Sequence, residues 1–166
     1  MKNLCLLLVS LLLLQSCKNR NNNIVETVGR ADSATVKKLE TFKADFVEEL
    51  WETYPGWATG VGYHKYDSVL VVPDAKARAA ELAFADRIDD QLAISSFNKL
   101  DANNKTDYKL IQNFTKGIRF SINEFKSYEW DPSNYNIGGS LFDVIDYKQS
   151  ALNDKLRALT AKLHNV

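Results

Sequence analysis

The chain has 166 residues, with 21 basic and 21 acidic side chains, a formal net charge of zero, and 45% apolar residues. That length carries one domain with a real core and is short for a multidomain enzyme. The balanced charge, with no basic stripe, supplies no field to hold a polyanion, so no nucleic-acid partner is expected.

Residues 1–16 carry one positive charge at Lys2, then the apolar runs from Leu4 to Val9 and from Leu11 to Leu14. A run of this kind is a signal-peptide core, too short for a permanent membrane span. It ends in Leu14-Gln15-Ser16-Cys17. An apolar residue three before a cysteine, with a small residue next to it, resembles the bacterial lipobox. Cys17 is then the lipidated N-terminus, its thiol bearing a diacylglyceryl thioether. Two or three acyl chains such as palmitate, at about 0.8 kcal/mol per buried methylene, make a near-permanent anchor. The expected protein is exported and held by lipid to a membrane, facing the periplasm or the cell surface. Residues 17–32 include the polar run Lys18-Asn19-Arg20-Asn21-Asn22-Asn23 and read as a tether.

Removal of residues 1–16 takes away Lys2 and Cys5, leaving 150 residues with 20 basic against 21 acidic groups, a formal charge of −1. With Cys17 consumed by lipid, the folded part has no thiol. Cysteine-based catalysis and cysteine-ligated zinc are therefore excluded within this chain.

The remaining 33–166 read as one helical domain. From Ser33, a reasonable N-cap, Val36, Leu39, Phe42, Phe46, Val47, Leu50, Trp51 and Tyr54 follow helical spacing, and Pro55-Gly56 stops the run. Residues 57–72 read as an ordered loop, with a short extended piece over Val69-Leu70-Val71-Val72. Asp74 caps a second helix to about Phe97, with Ala77, Ala80, Phe84, Ile88 and Leu92 on one face. After the turn formers Asp101, Asn103 and Asn104, a third helix over 106–128 carries a stripe from Tyr108 through Ile111, Phe114, Thr115, Ile118 and Ile122 to Phe125. Residues 130–139 form a loop, 141–148 a short helix, and Leu152, Leu156, Leu159 and Leu163 a last helical stripe. That stripe is still in phase at Val166, with no capping residue, and reads as a helix cut short.

Chemistry is hard to find in these residues. A nitrogen-ligated metal needs histidines converging, commonly two at helical spacing with a glutamate between them. The two histidines, His64 and His164, stand far apart in sequence, so no zinc site can be assembled, and His64 reads first as a structural loop residue. The carboxylates Glu48-Glu49, Asp86, Asp89-Asp90 and Asp143-Asp146 lie among basic residues and read as solvated helix faces with i,i+4 pairs. No serine sits in a nucleophile elbow. Gly60-Val61-Gly62 lacks the third glycine of a nucleotide loop, and Gly138-Gly139 is no stronger. The loop aromatics Trp57, Tyr63, Tyr66, Trp130 and Tyr135 suit either anchors packed on helices or the lining of a groove for a peptide or sugar.

Three blocks taken together resemble a bacterial family catalogued as domain of unknown function 885. They are Leu50-Trp51-Glu52-Thr53-Tyr54-Pro55-Gly56-Trp57-Ala58-Thr59-Gly60-Val61-Gly62-Tyr63-His64-Lys65-Tyr66-Asp67, then Asp107-Tyr108-Lys109-Leu110-Ile111, then Trp130-Asp131-Pro132-Ser133-Asn134-Tyr135 followed by Gly138 to Phe142. Their order and spacing agree with the N-terminal part of the family pattern, and secreted lipoproteins are common among its members. The resemblance implies an all-α, bundle-like domain with long ordered loops. It implies a larger protein whose downstream His-Glu-x-x-x-x-His motif holds zinc and makes it look like a metallopeptidase. This chain contains none of that motif, so the resemblance assigns it no metal ligand, no general base and no cofactor. Zinc is expected only in the full-length family protein.

Two functions follow. In the first, the chain is the N-terminal wall of a peptide cleft whose catalytic, C-terminal part lies elsewhere. In the second, it is a stand-alone, non-catalytic envelope lipoprotein that binds a partner. For the cleft wall, Tyr63, His64, Tyr66 and Asp67 in one loop and Trp130, Asp131 and Tyr135 in another are the candidate residues, because loops on rigid helices carry binding groups.

Overall fold

The structure, a computed structural model, describes residues 31–148 and 150–164. The signal segment and Cys17 lie outside the described residues. Those described form six α-helices joined by short helical turns, with no strand among them. The all-α expectation holds. None of these helices is long and apolar enough to cross a membrane.

Helix α1 (Ser33–Thr53) starts one residue earlier in its capping than the sequence suggested. Asp32, not Ser33, is the N-cap, and its carboxylate accepts from the Ala34 amide at 3.4 Å and the Thr35 hydroxyl at 2.6 Å. The helix breaks for a single residue at Tyr54, because Pro55 has no amide to continue the ladder. Pro55 then serves as the first residue of a new helix, α2 (Pro55–Gly60), where its fixed φ is favourable. Part of the expected loop is thus helical. Helix α2 closes in a Schellman turn: Gly62, at φ 86°, lets the Tyr63 amide reach the Ala58 carbonyl at 2.8 Å and its own amide reach Thr59 at 3.0 Å. That turn sends 63–67 back toward α1.

Residues 69–73 have no regular structure and no partner strand; they bury Leu70 while Val69, Val71 and Val72 stay exposed. Helix α3 (Ala75–Ala93) begins where expected, with the Asp74 carboxylate accepting from Ala77 at 2.8 Å, and stops four residues short of Phe97. Helix α4 (Ala102–Phe120) starts earlier than expected. Asp101 caps it, accepting from the Asn104 amide at 2.9 Å and the Asn104 side chain at 2.8 Å, so the asparagines taken for turn formers build the first helical turn. A π-helical turn over Ser121–Phe125 extends it, and Lys126 at φ 47° ends it.

Helices α1, α3 and α4 enclose the core. Leu39, Phe84, Ala85, Ile88 and Leu100 are wholly buried there, with Phe42, Ile111 and Ile118 nearly so. Phe46 stacks on Phe84 at 6.2 Å and meets Phe114 edge-on at 6.3 Å, so the aromatics interlock rather than merely collect. Among the described residues two pairs run along a helix, Lys43 with Glu40 and Arg157 with Asp154, but Glu49, Asp86 and Asp89, expected to pair along their own helices, pair across to another. Lys43 of α1 donates to Asp107 of α4 at 2.7 Å, and Arg119 of α4 donates to Asp89 and Asp86 of α3 at 2.6 and 2.8 Å.

After two 3-10 turns (Ser127–Glu129 and Pro132–Tyr135) come α5 (Gly138–Asp146), which packs on α2, and α6 (Leu152–His164), which packs on α5.

Candidate functional site

The loop after α2 is fastened by one carboxylate. Glu48 of α1 accepts hydroxyl hydrogen bonds from Tyr63 at 2.7 Å and Tyr66 at 2.6 Å, and pairs with Lys65. The Lys65 ammonium, then the two hydroxyls, hold the Glu48 carboxyl down at about 2. Tyr63 and Tyr66 are correspondingly pushed up by hydrogen bonding to Glu48. His64 and Asp67 face the other way. The Asp67 carboxylate meets His64 Nδ1 at 2.9 Å and accepts the Thr59 hydroxyl at 2.8 Å, while the imidazole lies 3.8 Å from the Tyr147 ring of the α5 C-terminus. His64 Nε2 is buried and has no hydrogen-bond partner among the described residues.

The second loop is organised locally. Trp130 donates its indole N–H to the Phe125 carbonyl at 3.2 Å, Asp131 caps the next turn through the Ser133 amide at 2.9 Å, and the Tyr135 hydroxyl donates to the Tyr128 carbonyl at 2.9 Å. Among the described residues no hydrogen bond or ring contact joins the 63–67 set to the 130–135 set. The fold brings together their neighbours instead.

Those neighbours line a cleft of about 400 Å³. It is lined by Tyr54, Pro55, Trp57 and Gly60 from the end of α1 and from α2, by Val69, Val71 and Pro73, by Glu81 of α3, and by Asn134, Asn136, Ser140 and Asp143. None of the seven residues singled out in the loops lines it; Trp57, one of the five loop aromatics, does. Two adjoining hollows, of about 660 and 250 Å³, also have Glu81 in their walls.

Glu81 is the carboxylate that sequence reasoning passed over. It stands in the alanine-rich helix between Ala80 and Leu82, with no motif about it. Burial raises its carboxyl above the ordinary range, while the Tyr54 hydroxyl, donating at 2.9 Å, and Arg78 oppose the rise. Burial, and then the charge of Glu81, push the Tyr54 phenol well up, which keeps it a donor. The Tyr-Pro break supplies the only sequence signal: it aims Tyr54 across to α3.

Chemically, the cleft offers two half-buried carboxyls, Glu81 and Asp143, two side-chain amides and the exposed indole of Trp57. Such a set can pair with the amide groups of an extended chain and cover an apolar side chain. Among the described residues no group of three or more His, Cys, Asp or Glu converges as a ligand set, so the donors present do not fit zinc.

No family model matches the chain, and no curated protein matches it. The solved structure of a proposed lipoprotein of unknown function from Shewanella oneidensis is similar to it, with 34% sequence identity and a TM-score of 0.73. The match covers 76% of this chain and 23% of that one, so this chain spans less than a quarter of that protein's length.

Proposed function

We propose that this chain is the N-terminal helical part of an exported, lipid-anchored protein of the kind resembled at the sequence level, the zinc-metallopeptidase-like members of domain of unknown function 885. It contributes one wall of a peptide-binding cleft, and the zinc ligands belong to the remainder of the longer polypeptide. The observation that carries this reading is the match to a lipoprotein: a 34% identical fold occupies only 23% of a much longer chain. The cleft around Glu81 adds chemistry suited to a peptide, since Asn134 and Asn136 line it together with a carboxyl that receives the Tyr54 hydroxyl.

The test is to sequence the locus past the codon for Val166. An open frame running on into a His-Glu zinc motif is the expected result. A stop followed by unrelated genes would sink it and leave a small helical lipoprotein that binds a partner without chemistry. Anchoring is checked separately: radiolabelled palmitate incorporates into the wild type and is lost in Cys17→Ser.

A further inference from the structure

Helix α6 turns most of its apolar stripe outward: Leu152, Leu156 and Leu163 are 70%, 51% and 60% exposed, and of the four leucines only Leu159 is half-buried. The most deeply buried side chain of the helix is Lys162, whose ammonium donates to the Ser140 carbonyl at 3.1 Å. Lys155 likewise donates to the Ile145 carbonyl of α5 at 2.6 Å. Helix α5, on which α6 packs, shows Phe142 and Ile145, 61% and 53% exposed and one helical turn apart. Five large apolar side chains are thus exposed on two packed helices, and burying a lysine while presenting three leucines is the reverse of what water rewards.

We infer that this α5–α6 face is the docking surface for the remainder of the longer polypeptide, met there by an apolar helical surface of that same chain. The inference rests on the reading under Proposed function. Its occupant follows from two observations. In the similar solved structure more than three quarters of the chain lies outside the matched region, so a bundle of this kind is built into a much larger body. The bundle's own core is already closed by α1, α3 and α4, with Leu39, Phe84 and Ile88 at zero exposure, so the leucine face is not needed to complete it.

The test places the photo-crosslinking residue p-benzoylphenylalanine at position 156 in the protein expressed from its own locus, with the exposed Lys76 on α3 as the control position. The expected result is a cross-link from 156, absent from 76, to a peptide of the same polypeptide beyond residue 166. A cross-link to a second copy, to lipid, or to nothing overturns the inference. A locus whose product ends at Val166 removes the proposed function as well, whereas a longer product with a silent position 156 removes this inference alone. As a second readout, Leu156→Glu with Leu163→Glu lowers the Tm of the long product and leaves that of the 166-residue chain unchanged; equal effects in both would count against it.

Discussion

Helices α4 and α6 both carry an apolar stripe at helical spacing, and they turn it in opposite directions. Ile111, Thr115 and Ile118 of α4 are buried against α3, and its polar groups Lys109, Lys116 and Arg119 stay toward solvent or pair across to α3. In α6 three of the four leucines face out and Lys162 is buried. Periodicity alone reports that a helix has two faces; which face goes inward depends on what surrounds it. For α4 the surroundings are helices of this bundle. For α6 the inner neighbours are α5, whose Ser140 carbonyl accepts from Lys162, and the carboxylates of Asp67 and Asp143, which suit an ammonium better than a leucine.

Three measurements sharpen that contrast. The largest effect is expected at the conventional stripe: Ile118→Ala should destabilise the chain by about 2–5 kcal/mol in urea unfolding, because a buried branched side chain leaves a cavity among neighbours that cannot close it. A loss below about 1 kcal/mol would mean that the α3–α4 seam is looser than its burial implies.

The second effect has the opposite sign. Burial pushes the Lys162 ammonium below its ordinary value, with Asp67 and Asp143 offsetting part of the shift. The folded state therefore binds fewer protons than the unfolded one between that lowered pKa and 10.5. Stability rises with pH across this window, and below it the penalty is present in full. Replacing the lysine by a chain of similar volume should stabilise: Lys162→Met is expected to gain about 1 kcal/mol and to flatten the alkaline rise. A variant less stable than wild type would show that the bond to Ser140 outweighs desolvation, and a pH slope unchanged in the variant would assign that slope to other groups.

The smallest effect belongs to the exposed fastening of the 63–67 loop. Glu48 is held down to about 2 from 4.5 by Lys65, Tyr66 and Tyr63, so its contribution is present above pH 4.5 and fades as pH falls toward 2. Glu48→Gln should remove that part of the acid dependence of the Tm while leaving the plateau near neutral pH little changed, since surface pairs contribute weakly. An unchanged acid slope in the variant would assign the slope to other carboxylates.

The candidate cleft shows the same division between pattern and place. Tyr54-Pro55 was legible as a helix stop, but not as a one-residue break that swings Tyr54 onto Glu81. Glu81 itself carries no signal, because a lone carboxylate in an alanine-rich helix reads as solvated until a neighbouring strap and loop shield it. His64 and Asp67 were legible as loop residues; their pairing with each other, with Thr59 and with the Tyr147 ring depends on the Schellman turn at Gly62 and on where α5 comes to rest.

What the sequence determined by itself was local: the helices, set by apolar spacing and by the caps at Asp74 and near residues 32 and 101, and the breaks at proline and glycine. These are interactions among residues a few positions apart, and they need no knowledge of the rest of the chain. The orientation of α6, the burial of Lys162, the cross-helix pairing of Arg119 and the shielding of Glu81 were decided by tertiary structure. Each depends on the dielectric and the partners supplied by residues 20 or more positions away, and a charge or a leucine is inside or outside only once those neighbours are in place.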